Sequence, residues 1–397
     1  MSSAVAVGAL SLSREEAIGI AYRARFPSPG PGGEAADTAY GTLERLGYVQ
    51  IDTISVVERA HHHVLWSGDG RYRPPCLPAL EAEPRRAFEY WAHAAAYLPI
   101  GDYRYCLPRM KRVAETGHDW FPTEPRVVQG VLERIRSEGP LRSADFAGGD
   151  GPRGPWWDWK PAKAALEFLF MSGTLLVASR PGFQKLYDLA ERVLPPGIDA
   201  RFPSDEEMGD WYVDRASRAY GIFAEADVAY LRKDGLAGIG AALERAVDSG
   251  RLVRVGVEGD EKRAQWAAPA ALEAAAPGEA PGGGLGPDGR PVRILSPFDN
   301  YVIDRKRARR LIGLDYTLEC YVPAAKRKFG YFALPVIWKG KPAGLLDCSA
   351  DRKTRTLVVK RSSAAAGPDE RDEFDSGLAA ELASFASFNG CDSIRFA

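Results

Sequence analysis

The sequence predicts an α+β fold: tandem winged-helix domains followed by a small C-terminal β-sheet or partial barrel. Three observations predict it. A pattern of helices followed by a β-hairpin recurs through residues 1–273. A Gly/Pro-rich stretch, AAAPGEAPGGGLGPDGRP from Ala274 to Pro291, then interrupts the chain. Beyond it the apolar spacing changes from helical to strand-like.

The first unit, 1–125, opens with Ser13 and Glu16, an S-x-x-E capping box at the start of a helix. Pro27 to Gly33 (PSPGPGG) holds neither helix nor central strand and reads as a loop. Leu43 and Leu46 precede Gly47 in a later helix, and Tyr48 to Ile54 has strand character.

In the second unit, 126–203, Val128, Val131, Leu132 and Ile135 fall on one helical face. Leu141 to Phe146 is expected to be a second helix. A third carries Ala162, Leu166, Leu169 and Phe170 on one stripe and stops at Gly173. The strand Leu175 to Val177 and the return through Phe183 to Tyr187 make the hairpin.

The third unit, 204–273, repeats the order. DWYVDRASRAYG and EADVAYLR are two helices, and Leu236, Ile239, Leu243 and Val247 mark a third. Val253, Val255 and Val257 then share one side of a strand.

After the linker, 274–291, the unit 292–397 is expected to hold strands at Leu318–Val322, Gly330–Trp338, Ala343–Ser349 and Thr354–Lys360. Lys339-Gly340-Lys341 is a turn candidate, and Pro323 to Phe329 is a basic tip between the first two strands. An amphipathic helix from Ser376 to Phe388 closes the chain.

Charge is distributed unevenly. Between Arg290 and Arg361 there are 17 Lys+Arg against 6 Asp+Glu, a local net of +11, so the rest carries −12 to reach the overall −1. A basic third in a nearly neutral chain suggests one face made for a polyanion. The five cysteines form no C-x-x-C pair, which argues against a zinc or iron–sulfur site and a disulfide scaffold. No apolar run reaches about 18 residues, and the N-terminus lacks a secretory pattern. The expectation is a cytoplasmic protein, no membrane partner, and a monomer.

The candidate chemistry lies after Gly47. On a strand, Gln50 and Asp52 point one way and Val49 and Ile51 the other. Their Cα atoms would stand roughly 6.5–7 Å apart, two residues at about 3.3 Å each. A solvated strand edge and a catalytic pair both fit that spacing. A carboxylate and an amide over one volume suit N-glycosidic cleavage of a cationic base. The carboxylate opposes charge on the sugar and accepts a proton from water, which the amide can hold. Downstream stand Arg59, His61, His62 and His63. Consecutive histidines do not readily converge on one ion, so no metal is expected; packing, or hydrogen bonding to phosphate or sugar, remains open for them.

Three runs carry a resemblance: VQIDTISVVERAHHHVLWS, YWAHAAAYLP (Tyr90 to Pro99) and LSPFDNYVIDR (Leu295 to Arg305). The sequence resembles the YcaQ-type proteins, also called AlkX, within the winged helix-turn-helix, AlkZ-like glycosylase superfamily. The resemblance implies a concave DNA-binding surface and a monofunctional DNA glycosylase acting on N7-alkylated purines, interstrand crosslinks included. It implies no metal and no cofactor, and double-stranded DNA as partner. Its catalytic signature, Gln-x-Asp in this branch, falls on Gln50 and Asp52. A DNA-probing hairpin is assigned to Lys326, Arg327 and Lys328. Further DNA contacts fall to Arg59, His62 and His63, and Asp299 and Asn300 of the third run are expected to line the site. The sequence departs from the family in two expanded loops and in Ser67-Gly68, where an arginine is expected after Trp-Ser. The rival reading is a winged-helix transcriptional regulator, in which Gln50 and Asp52 are incidental.

Overall fold

The computed structural model describes residues 10–27, 34–82, 84–117, 121–146, 159–228, 230–231, 236–274 and 289–397. The loop expected at 27–33 and the linker expected at 274–291 lie largely outside the described residues.

Four sheets organise the described residues, and three of them share one strand order. Val49–Gln50 pairs with Ala95–Pro99, which pairs with Ala87–Trp91. Leu141–Arg142 pairs with Leu186–Leu189, which pairs with Leu175–Ser179. Ile222–Phe223 pairs with Gln265–Ala267, which pairs with Val253–Val257. In each, the last strand lies between the other two, as a hairpin folded back onto a short leading strand requires. The third sheet gains Leu10–Leu12, which runs parallel to Val253–Val257. The N-terminal segment therefore belongs physically to the 222–267 sheet, far from its own sequence neighbours.

The fourth sheet runs Val292–Ile294, Leu334–Trp338, Lys341–Asp351, Thr356–Ser362 and Ser393–Phe396, antiparallel except for the last pair. Register shifts at Val336/Ile337 and Asp347/Cys348 bend it into a curled half-barrel. Its first hairpin turns at Lys339 and Gly340, both with positive φ (48° and 80°), as a two-residue turn matching the strand twist demands.

Local signals explain some helix ends. Ser13 and Glu16 form the expected reciprocal cap on the helix Arg14–Arg25, and Gly47, at φ 70°, ends Ala35–Leu46. The helix Arg371–Phe388 buries Phe374, Phe385 and Phe388 against the half-barrel. The same core takes in Trp66 of the helix Ala60–Gly68, stacked on Phe388 at 4.9 Å. The first unit and the last thus share one apolar core, through side chains more than 300 positions apart in sequence.

Three expected elements differ through a polar side chain that captures backbone groups. Leu141–Phe146 is a two-residue strand and a 3-10 turn, Ser143–Phe146, because the Asp145 carboxylate accepts from the Arg142 N–H at 2.8 Å. The segment 318–322 is no strand. The Glu319 carboxylate takes the N–H groups of Lys328, Phe329 and Gly330 at 2.7, 2.8 and 3.0 Å, closing residues 319–330 into a compact loop. In EADVAYLR the described helix is Glu225–Val228, and Tyr230 and Leu231 lie in a turn. The strand after Gly47 ends at Gln50, since Asp52 Oδ1 takes the Ile54 N–H at 2.7 Å in a turn. No helix among the described residues is long and apolar enough to cross a membrane.

Candidate active site

The backbone that presents Gln50 and Asp52 is set from Gly47. Its positive φ reverses the chain, and a Cβ there would meet the Arg215 side chain at 2.3 Å, so only glycine fits on both counts. Val49 is then fully buried while Gln50 and Asp52 stay half-buried. Gln50 Oε1 lies 3.0 Å from His93 Nε2. The His93 ring stands edge-on to Tyr48 and to Tyr230, each at 5.1 Å between centres, and the Tyr230 hydroxyl donates to the Ile303 carbonyl at 3.0 Å. His93 thus fixes the Gln50 amide and ties it to the third unit and to the start of the C-terminal unit. It sits inside YWAHAAAYLP, so that run carried the signal, but nothing in its spacing pairs it with Gln50.

Asp52 forms no ion pair among the described residues. Burial lifts its carboxyl above the ordinary aspartate value, and the N–H groups of Ile54 and Thr53 pull it back only in part. Its charge is felt by Cys320 and Tyr321. Burial first, and then the Asp52 charge, push the Cys320 thiol up, while the Arg327 guanidinium acts on the same thiol in the opposite sense. The 319–330 loop therefore lies within electrostatic range of the carboxylate. Tyr321 is 87% exposed on that loop, with Lys326 and Lys328 exposed near it. Arg327 Nε donates to the Val322 carbonyl at 2.8 Å, and its guanidinium covers the Tyr331 ring at 4.9 Å. Tyr321, Tyr331 and the three basic residues share one loop region within range of the Asp52 charge.

A family profile described as DNA glycosylase AlkZ-like matches residues 43–388, nearly the whole of this architecture. The chain belongs to the AlkZ-like DNA glycosylase family. Its fold is similar to that of Streptomyces sahachiroi DNA glycosylase AlkZ, with a TM-score of 0.61 at 15% identity, covering 98% of this chain and 100% of that one. As an AlkZ-like protein it is a DNA glycosylase, an enzyme of DNA repair that acts on DNA.

Within this AlkZ-like glycosylase, several expected site residues have other roles. His63 is fully buried with Nε2 2.8 Å from the Ile294 carbonyl, and its ring packs on Phe385 at 4.8 Å. Burial pushes it down to about 4, so it stays neutral at pH 7. It is a core histidine and cannot reach DNA. Asp299 is 0% exposed and does not line an open site. It accepts from Arg25 Nε and Nη2 at 2.8 and 2.6 Å and from Ser67 Oγ at 2.9 Å, while Oδ1 also takes the Tyr301 N–H. Asn300 is likewise buried, at 2% exposure, and neither of its amide atoms finds a hydrogen-bond partner. Arg59 and His62 line a separate cleft; the His62 ring lies 2.7 Å from the Tyr72 hydroxyl.

The +11 segment is also less of a DNA face than its charge suggests. Arg293 is buried and donates to the Tyr22 hydroxyl and the Ser67 carbonyl. Arg307 is buried and donates to the Tyr220 and Ile222 carbonyls. Arg310 pairs with Asp227, Lys339 with Glu370 and Glu373, and Arg355 with Asp392. Part of the excess charge is taken up by carbonyls and carboxylates within the protein. Among the described residues, no three His, Cys, Asp or Glu side chains are grouped so as to hold a metal ion. The histidine triplet illustrates why, since His61 stacks on Phe183, His62 meets Tyr72 and His63 meets Ile294.

Proposed function

We propose that the protein is a monofunctional glycosylase for N7-alkylated purines, crosslinked ones included, with Asp52 and Gln50 as its catalytic pair. The observation that carries this reading is a half-buried carboxylate with no ion-pair partner among the described residues, within electrostatic range of an exposed aromatic and basic loop. An N7-alkylated purine is cationic and leaves with the electron pair of its N-glycosidic bond without prior protonation. Positive charge then builds on the sugar, where the Asp52 carboxylate opposes it at close range. Water attacks C1′ and gives its proton to Asp52. With the His93 proton on Nε2, Gln50 Oε1 accepts from it, and the Gln50 NH₂ stays available to hold that water.

The three sheets of common strand order, each led by helices, are read as winged-helix modules that lay a duplex across the Asp52 surface. The primary experiment uses a duplex with a single N7-methylguanine, incubated with protein and then treated with alkali. Strand scission at the lesion is the expected result; an intact strand at saturating protein sinks the reading.

The basic loop sets how binding responds to salt. Replacing Lys326, Arg327 and Lys328 together by alanine should weaken binding to any duplex. It should also flatten the slope of log K against log[salt] by about 2–3, roughly 0.9 for each phosphate no longer neutralised. An unchanged slope would place DNA elsewhere.

The product should be an intact abasic site. Strand-cleaving glycosylases use an amine that forms a Schiff base with the sugar, and the first lysine in the chain is Lys111, 59 residues beyond Asp52. Borohydride should trap no covalent protein–DNA adduct; recovery of one would identify an amine nucleophile, with Lys326 and Lys328 as the residues to replace next.

A further inference from the structure

A cleft of about 790 Å³ opens between the helices Ala60–Gly68 and Cys76–Glu81 and the turn of the second hairpin, residues 178–183. Gln50 and Asp52 are not among its lining residues. Its volume falls within the roughly 300–1,000 Å³ of small-molecule sites. The hairpin turn is strained toward it: Phe183 has φ 67°, a region that a bulky residue rarely occupies. That backbone lays the Phe183 ring parallel to His61 at 5.7 Å, with the Arg59 guanidinium 4.1 Å from its centre.

Two buried side chains lining the cleft carry unmatched polar atoms. Glu81 is 7% exposed and its Oε1 has no hydrogen-bond partner. His61 is 1% exposed and its Nδ1 has none. Buried polar atoms ordinarily have a partner, which a ligand or an ordered water in the cleft would supply here. Burial, reinforced by the Glu89 charge, pushes the Glu81 carboxyl up to about 8. Burial likewise pushes His61 well below its ordinary value. At neutral pH the floor is a neutral acid and a neutral imidazole, a mixed set of donors and acceptors. Arg59, which forms no ion pair among the described residues, supplies a cation at the rim, whereas the charge of Arg180 is already taken by Glu89.

We propose that this cleft is a second nucleotide site, seating a nucleobase edge against Glu81 and His61 and its phosphate against Arg59. A neutral donor–acceptor floor suits a base, and an arginine without a counter-charge suits a phosphate. The nucleotide comes either from the DNA strand or from solution. The choice of nucleotides rests on the glycosylase reading; the cleft and its unmatched atoms do not.

The test is titration calorimetry of the full chain with dGMP, deoxyguanosine and inorganic phosphate. Wild type should bind dGMP at least about tenfold more tightly than phosphate, roughly what one charge-assisted contact adds. Glu81→Gln, whose amide keeps a donor and an acceptor, should stay near wild type, and Glu81→Leu should lose about tenfold or more. Glu81→Leu should also raise Tm, since it replaces an unmatched buried acid by an apolar group. Arg59→Gln should abolish the preference for dGMP over deoxyguanosine, which keeps the proposal testable without the Glu81 variants. Asp52→Asn should bind dGMP as wild type does. Excess dGMP slows excision if the site takes a strand nucleotide and leaves it unchanged if it takes a free one. Equal binding of dGMP and phosphate by wild type, or undiminished dGMP binding by Glu81→Leu, would overturn the site. N7-methylguanine excision is read separately: lost dGMP binding with excision intact removes this site alone, and absent excision with dGMP binding intact removes the Asp52 reading alone.

Discussion

Asp52→Asn should excise N7-methylguanine about 10²–10³-fold more slowly than wild type in a single turnover, a loss of roughly 3–4 kcal/mol of transition-state stabilisation. The amide has the size of the carboxylate but no charge to set against the sugar cation. It also cannot take a proton from water. Duplex affinity should hardly change, because the group acts on charge that exists only during bond breaking. Gln50→Ala should lose less, since water can be held imperfectly by other groups.

The raised carboxyl value of Asp52 adds two signs that can be checked. On acidification the ionised form disappears at a higher pH than for a free aspartate, about 3.9, so the acidic limb of the rate profile should sit above that value and vanish in Asp52→Asn. A folded-state value above the unfolded one also means that the folded state holds the proton more tightly, so ionised Asp52 opposes folding as pH rises. Asp52→Asn should therefore be as stable as wild type at pH 7, or more so. Wild-type excision by a folded Asp52→Asn protein would remove Asp52 from the mechanism.

Asp299→Ala should cost about 3–5 kcal/mol in urea unfolding, the usual result of stranding one partner of a buried ion pair. Arg25 and Asp299 are 1% and 0% exposed and meet at 2.6 Å. Arg25 also donates to the Val64 carbonyl and to Ser67 Oγ, both at 2.9 Å. One charge pair thus joins the N-terminal helix, the helix Ala60–Gly68 and the segment after Leu295. With Asp299 gone, the guanidinium stays buried with no counter-charge. The double variant Arg25→Met/Asp299→Leu should recover much of the loss, because two apolar groups leave nothing uncompensated. A single variant that loses less than about 1 kcal/mol would show that water reaches the guanidinium and that the site is less closed than its burial indicates.

Some of this was legible in the sequence because the physics is local. A capping box is read from two residues three apart, and Ser13 with Glu16 forms one. Helical spacing is read from one face, and Val131, Leu132 and Ile135 are buried on theirs. The turn at Lys339-Gly340 and the stop at Gly47 follow from backbone angles that few residues adopt cheaply. Such rules need only neighbours, and where a polar side chain reached past its neighbours they failed. Glu319 takes backbone groups nine to eleven residues away, turning an expected strand and hairpin tip into a closed loop.

The run LSPFDNYVIDR shows the same boundary at the site. A carboxylate next to an amide reads the same in sequence whether it faces substrate or an arginine 274 positions away, and for Asp299 only the fold distinguishes them. Net charge misled for a related reason. Arg293 and Arg307 enter it on the same terms as Lys326 and Lys328, but burial against carbonyls takes them out of any field outside the protein. By itself the sequence determined much of the secondary structure and the chain's membership of the AlkZ-like family. The tertiary structure alone decided that His93 holds Gln50, that the 319–330 loop comes within range of the Asp52 charge, and that His63 and Asp299 are core. The physical reason is that burial and partnership depend on contacts between residues far apart in the chain, and local spacing carries no record of them.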